Sequence, residues 1–448
     1  MNKIVDLIIK ARWVLPIVPK DTLLNHHAVI VHLGLIVDIC TIEDADANYA
    51  ATEIIKLEEH VLMPGLINLH THAAMNLMRG LADDLPLMSW LENHIWPAES
   101  HFLSDRFVKD GTLLACAEML GGGITTFNDM YFYPEAAAEA CTQVGMRANL
   151  GLVVLEFSTN YASNAANYLE KGTQTRDDLK NEPLLSFSFA PHAPYTVSDE
   201  TFIEINTLAE QLDMGIHTHL HETLEEISQS EQKYGLTPIE RLAKLGLLGA
   251  NTTLAHCVHL KPTDVQMLAD NGCHIAHCPS SNLKLGSGIA PINEYLKRGI
   301  NVGLGTDSAA SNNRLDMFTE IRLAALLAKG VSHDASAISA HLALEMATIN
   351  GAKALKLDDK IGSIEIGKIA DLIAIDLSEI NMQPCYDPIS HLVYVAGREQ
   401  VTYCWVQGEL KYHKLKHSEG VFSNIEPQEL NEIITNWQTK LANRKSLD

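Results

Sequence analysis

The ten residues HTHLHETLEE, 217 to 226, place His217, His219 and His221 at every second position and follow them with Glu222. Alternate side chains of a strand share a face, so all three imidazoles can look the same way. A second pair at this spacing, His70 and His72, lies in LINLHTHAAM. Two histidines spaced HxH at a strand end can present both rings to one metal ion. A third histidine from a later strand and Asp307 of GLGTDS complete a His3Asp set. Such a set leaves one position for water, which is what separates a catalytic zinc site from a closed structural one. With His70, His72 and Asp307 counted, only one further ligand fits, and alternation alone leaves His217, His219 and His221 all eligible.

These residues need strands to carry them. Apolar runs recur between about residues 61 and 308: VLMPGLINLHTH, GGITTFNDM, RANLGLVVL, LLSFSFAPHAPY, MGIHTHLHE, TTLAHCVHL, GCHIAHCPSSN and NVGLGTDS. Most are followed by a stretch with helical spacing. Continuous apolar runs suit parallel strands buried on both faces, and eight strand-then-helix units over roughly 250 residues predict a TIM barrel, (β/α)8. His70, His72, Asp129, His192, His219, His256, His277 and Asp307 all fall near C-terminal ends of these runs, the active-site end of such barrels. The insert between the first two runs, including LPLMSWLENHIWPAESH, is predicted to cover the mouth. Residues 1–60 alternate in short β-like pieces without a convincing helix, and residues 361–448 return to strands and turns before an amphipathic closing helix, EPQELNEIITNWQTKLANR. The expected organisation is a small β-sandwich domain from 1–60 and 361–448 around a catalytic barrel at 61–360.

PGLINLHTH, HLHET, AHCVHL, PSSNLKLGSGIAP and LGTDSAASNN occur in that order. Together they resemble the amidohydrolase superfamily, in its hydrolytic deaminase and chlorohydrolase branch, across nearly the whole chain. The resemblance implies one divalent metal ion per subunit, zinc with ferrous iron as the alternative, held by His70, His72, His219 and Asp307. It gives Glu222 the task of moving a proton to a ring nitrogen of the substrate. His256, beside Asp307, matches the histidine that orients or deprotonates the reacting water. A bound ion lowers the pKa of water towards about 7, and general acid catalysis of this kind contributes ~10²–10⁴ in rate.

Two further matches narrow the implied substrate to a purine nucleoside that loses its 6-amino group as ammonia. Glu99 of WPAES matches a glutamate that, in members acting on 5'-methylthioadenosine and S-adenosylhomocysteine, accepts hydrogen bonds from both ribose hydroxyls. A carboxylate suits a diol because both hydroxyls donate to it. His192 of APHAPY matches a substrate-binding histidine of the same group. The chain departs from some members after GMRAN, where GLVVLEFSTNYASN offers no arginine for the amino-acid end of S-adenosylhomocysteine. That stretch fits a thiomethyl tail better. The rivals are a guanine deaminase or triazine chlorohydrolase on the same scaffold, and a catalytically dead barrel. Glu99 speaks against a free-ring substrate, and the intact ligand set against a dead barrel. The resemblance also implies a homo-oligomer.

Composition bounds the remaining classes. A net charge of −23, from 56 acidic and 33 basic residues, argues against nucleic-acid and anionic-membrane surfaces. No stretch approaches the ~20 apolar residues of a membrane span, and Asp6, Lys10 and Arg12 interrupt MNKIVDLIIKARWVLPIV, which reads as a strand rather than a signal peptide. Eight cysteines without a CxxC pair point to a reducing, cytoplasmic setting. HETLE lacks the second histidine of an HExxH metalloprotease helix, and the PCxxC of cytidine-type zinc deaminases is absent. GGG at 121–123 reads as a turn.

Overall fold

A computed structural model describes residues 2–415 and 418–443. The eight apolar runs form one eight-stranded sheet. In sequence order its strands are Leu66–Thr71, Ile124–Tyr131, Arg147–Val154, Leu185–Pro191, Gly215–Leu220, Thr252–His256, His274–His277 and Asn301–Leu304. Each pairs with its neighbours in sequence, the parallel order that βα repetition enforces. Every residue of the first, second, third and sixth strands is buried, which is why none shows a solvent-facing polar side alternating with an apolar one.

The sheet closes on itself at its catalytic end. Just past the eighth strand, Asp307 N donates to the His70 carbonyl at 2.9 Å. Thr306 N donates to Asn68 Oδ1 at 2.9 Å, and Asn68 Nδ2 donates to Thr306 Oγ1 at 2.7 Å. Gly305 makes this approach possible: a Cβ there would stand 2.8 Å from His70 N and 2.9 Å from His70 O. Gly305→Ala is therefore expected to displace the backbone that carries His70, costing about 1–3 kcal/mol of stability, as overpacking does. Thermal unfolding together with metal analysis checks it; unchanged stability and metal content would show the contact to be slack.

The two ends of the chain build a second, mixed eight-stranded sheet. Lys3–Val14 pairs in parallel with Tyr49–Pro64, and the returning strand Leu372–Asp376 pairs antiparallel with the same element, Leu372 opposite Pro64. Leu7, Ile9, Val29, Leu57, Leu372 and Trp405 form its buried core. One element here escaped the sequence reading. Ile42–Asn48 is a short helix whose N-cap, Thr41, accepts from Asp44 N; the Thr-x-x-Asp spacing is the signal that could have found it.

The amphipathic pattern near the C-terminus is a helix, Pro427–Ala442, while its final residue, Arg444, and the rest of 444–448 lie outside the described residues. The sequence reading grouped this helix with the terminal sheet. Its Trp437 instead meets Phe107 edge-to-face at 5.1 Å and donates from Nε1 to Asp110 at 2.8 Å. A buried indole needs a partner for its N–H, and the partner belongs to the helix Asp105–Gly121 that follows the first barrel strand. From Ile425 onward the chain accordingly groups with Asn68–Ala117 and Phe127–Leu315 in one compact unit, which contains every candidate site residue.

Candidate active site

The first barrel strand delivers His70, wholly buried, and the residue just beyond it is His72. A partner at Nδ1 orients each ring. His72 Nδ1 lies 2.5 Å from the Met130 carbonyl at the end of the second strand, and His219 Nδ1 lies 2.6 Å from the His192 carbonyl beyond the fourth. Carbonyls only accept, so both rings carry a proton on Nδ1 and present Nε2 to the cluster. His70 Nδ1 faces His217 Nε2 at 2.9 Å, while His70 Nε2 is buried without a hydrogen-bond partner among the described residues.

Asp307 Oδ1 stands 3.3 Å from Nε2 of both His70 and His72. The candidate ligand atoms of His70, His72 and His219 lie within 4.8 Å of one another, as do those of His70, His256 and Asp307. Two donors at ~2.0–2.2 Å from a tetrahedral ion are separated by roughly 3.3–3.6 Å, so this spacing fits an ion of that size. Burial lowers the His70 pKa to about 4 and, with His192 nearby, drives that of His219 well below the ordinary value. Neutral imidazoles with free lone pairs are what a divalent ion requires. The donor set therefore fits a metal.

His217 also lies in the barrel interior, one strand pleat deeper than His219. Its Nδ1 sits 3.2 Å from Asn128 Nδ2, and Asn149 Nδ2 donates to Asn128 Oδ1 at 2.7 Å. It backs His70. His221 turns away: Nδ1 meets the His259 carbonyl at 3.0 Å and Nε2 accepts from Ile239 N at 3.2 Å. Neither His221 nor His277 lines the cavity described below. The backbone turn at His221, with φ +51°, redirects its side chain.

Glu222 follows that turn. Thr223 caps the helix Leu224–Tyr234, and the buried Glu226 carboxylate accepts from the backbone N–H of Glu222 at 2.9 Å and of His221 at 3.2 Å. Glu222 is buried, and burial raises its pKa. Its Oε2 is 3.7 Å from His256 Nε2. His256 and Asp307 both hold left-handed backbone, φ +70° and +57°. For non-glycine residues that conformation costs on the order of 1–3 kcal/mol and clusters at functional sites.

A cavity of about 380 Å³ opens over this cluster. His72, Glu99, His192, His219, Glu222, His256 and Asp307 line it, with His70 beneath. The insert after the first strand, helical from Leu87 to Phe102, supplies an apolar wall through Leu87, Trp90, Leu91, Ile95 and Trp96. Phe157, beyond the third strand, also lines the cavity. Glu99 is half-buried; Tyr131 Oη donates to its Oε1 at 2.7 Å, and desolvation in this setting raises its pKa to about 7. His192 Nδ1 sits 3.1 Å from Thr196 Oγ1, and burial lowers its pKa to about 3. Among the lining residues the charged side chains are Glu99, Glu222 and Asp307, with no lysine or arginine.

Residues 61–411 match the amidohydrolase family. The chain belongs to that family. It is 45% identical over 441 residues to a Saccharophagus degradans protein named 5-methylthioadenosine/S-adenosylhomocysteine deaminase, covering 98% of each chain. A Teredinibacter turnerae protein of the same name is 47% identical over 408 residues, covering 90% of this chain and 92% of its own. Among solved structures, an adenosine deaminase from Xanthomonas campestris with bound zinc superimposes with a TM-score of 0.96, at 43% identity over 99% of this chain and 100% of that one.

Sequence reasoning did not reach the partners of these amidohydrolase residues. Tyr131 behind Glu99 lies 32 residues away, and Ser281 on Asp307 and Asn282 on His256 each lie 26 residues away. PSSN and SAASN were visible as motifs, but nothing local showed what they touch.

Proposed function

We propose that this protein is a metal-dependent hydrolytic deaminase that converts 5'-methylthioadenosine to its 6-oxo nucleoside and ammonia, with S-adenosylhomocysteine as the poorer substrate. The observation that carries the reading is that Glu222 and Glu99, an acid for the ring and a grip for a ribose, line one cavity with the donor cluster. The relatives' names point the same way.

His70, His72, His219 and Asp307 would hold the ion, one zinc per subunit with ferrous iron as the alternative. When bound, the ion acts as a Lewis acid that makes water a nucleophile near neutral pH. Glu222, shifted by burial towards its protonated form, donates to the ring nitrogen next to the reacting carbon. His256 Nε2, with Asp307 beside it, receives the proton that the attacking water gives up and passes it to the departing amino group, which leaves as ammonia when the C6–N bond breaks, while the second water proton restores Glu222. Glu99 accepts from the ribose hydroxyls and His192 contacts the nucleoside. The cavity supplies no cation for an α-carboxylate, and its aromatic and aliphatic wall suits an uncharged thioether. Homo-oligomerisation, which size-exclusion chromatography reads directly, belongs to the same family-based reading.

Ammonia release from adenosine, 5'-methylthioadenosine, S-adenosylhomocysteine, guanine and a chlorotriazine tests this. The expected order puts 5'-methylthioadenosine first and leaves the free rings unreacted. A clear kcat/KM advantage for S-adenosylhomocysteine would reject the tail assignment, and turnover of a free ring would reject the nucleoside. Glu99→Ala is expected to lower kcat/KM for 5'-methylthioadenosine on the order of 10²-fold, since a hydrogen bond to a charged group is worth about 1.5–3 kcal/mol. Metal content should not change.

A further inference from the structure

We infer that the segment Pro279–Ser287 is a positioning element that sets all three proton-handling side chains, with Asn282 holding His256 in the form protonated on Nδ1. The inference rests on the deaminase reading for what those side chains do. Three contacts carry it. Asn282 Oδ1 lies 2.8 Å from His256 Nδ1, Ser281 Oγ donates to Asp307 Oδ2 at 2.6 Å, and Ser287 Oγ donates to Glu222 Oε1 at 3.4 Å.

Each contact uses one polar atom and leaves the other to the reaction. An amide oxygen only accepts, so His256 Nδ1 must carry the proton and Nε2, which faces Glu222 Oε2 at 3.7 Å, keeps its lone pair. Asp307 Oδ2 accepts from Ser281 and, at 2.8 Å, from Ser311, so Oδ1 alone faces the histidines. Ser287 takes Glu222 Oε1 and leaves Oε2 towards His256.

Topology explains why a single segment reaches all three. The seventh barrel strand lies between the sixth and the eighth. The helix that follows it, Pro279–Lys284, projects successive residues to the two sides: Asn282 to His256 at the end of strand six, Ser281 to Asp307 beyond strand eight. Gly286, at φ +70°, turns the chain back so that Ser287 returns to the fifth-strand exit. The segment is itself anchored. Lys284 Nζ contacts Asp83 at 2.6 Å and Asn313 Oδ1 at 2.7 Å, and His259 Nε2 meets the Ser287 carbonyl at 2.7 Å.

The experiment combines kinetics with ¹⁵N NMR of histidine-labelled holoenzyme, the His256 signals being identified by their loss in His256→Gln. The wild type should show His256 protonated on Nδ1. Asn282→Ala should shift it towards the Nε2-protonated form and lower kcat on the order of 10²-fold, the lower end of what a general base contributes. KM should stay within about threefold and the metal should be retained. Asn282→Asp, which still accepts from Nδ1, should recover kcat to within about tenfold. An unshifted His256 signal in Asn282→Ala, or a kcat loss under about threefold, overturns the proposal. Should Asn282→Ala fail to fold, Ser281→Ala decides through chelator competition. A loss of about tenfold in metal affinity supports the clamp, and unchanged affinity overturns it. Failure of the deaminase reading would show separately, as an absence of ammonia release from the wild type while the NMR and chelator results stand.

Discussion

Glu222→Gln is expected to lower kcat for 5'-methylthioadenosine by ~10²–10⁴, the range of general acid–base catalysis, while leaving the metal in place. Glutamine keeps the shape of the side chain and an oxygen for Ser287 Oγ, which stands 3.4 Å from Glu222 Oε1. It cannot deliver a proton. The backbone of residue 222 is held independently, by the Glu226 carboxylate, so the substitution should not move its neighbours. Steady-state kinetics with metal analysis reads the outcome. A kcat loss below tenfold would remove Glu222 as the proton donor, and loss of the metal with the activity would make its role structural.

Asparagine replacements at His219 and His217 should separate ligand from support. His219→Asn removes a lone pair that the His192 carbonyl aims at the cluster through Nδ1, and both bound metal and activity should be lost. His217→Asn should leave the site occupied but weaker by about 10–100-fold, the usual cost of losing a partner that orients a ligand. The reason is its 2.9 Å contact with His70 Nδ1. Metal content after extensive dialysis and chelator competition distinguish the two. Equal losses would overturn the assignment of His219 over His217.

Much of this arrangement was legible in the chain. The unbroken apolar runs marked the barrel strands because strands buried on both faces have no polar side to alternate with. Polar residues at their C-terminal ends marked the catalytic rim, and the LMSWLENHIW insert announced its own apolar wall. The short helix Ile42–Asn48 was missed because its capping pair was overlooked among β-like pieces. The closing helix was assigned to the wrong neighbour because amphipathicity shows that a face will be buried, not against what; Trp437 found Asp110 across 327 residues.

By itself the sequence determined which side chains share a strand face and which end of the strand they reach, because that information lies in local periodicity. It puts His70 and His72 on one strand face and leaves His217, His219 and His221 equally eligible on another, with Glu222 directly after; the choice of His219 came from the family resemblance. Only the tertiary structure decided which nitrogen of each ring faces inward. That depends on acceptors from other strands: Met130 for His72, His192 for His219, Asn282 for His256. Hydrogen bonds between residues 26 to 58 positions apart leave no periodic trace in the chain. They arise when the barrel closes and brings neighbouring strand ends within bonding distance.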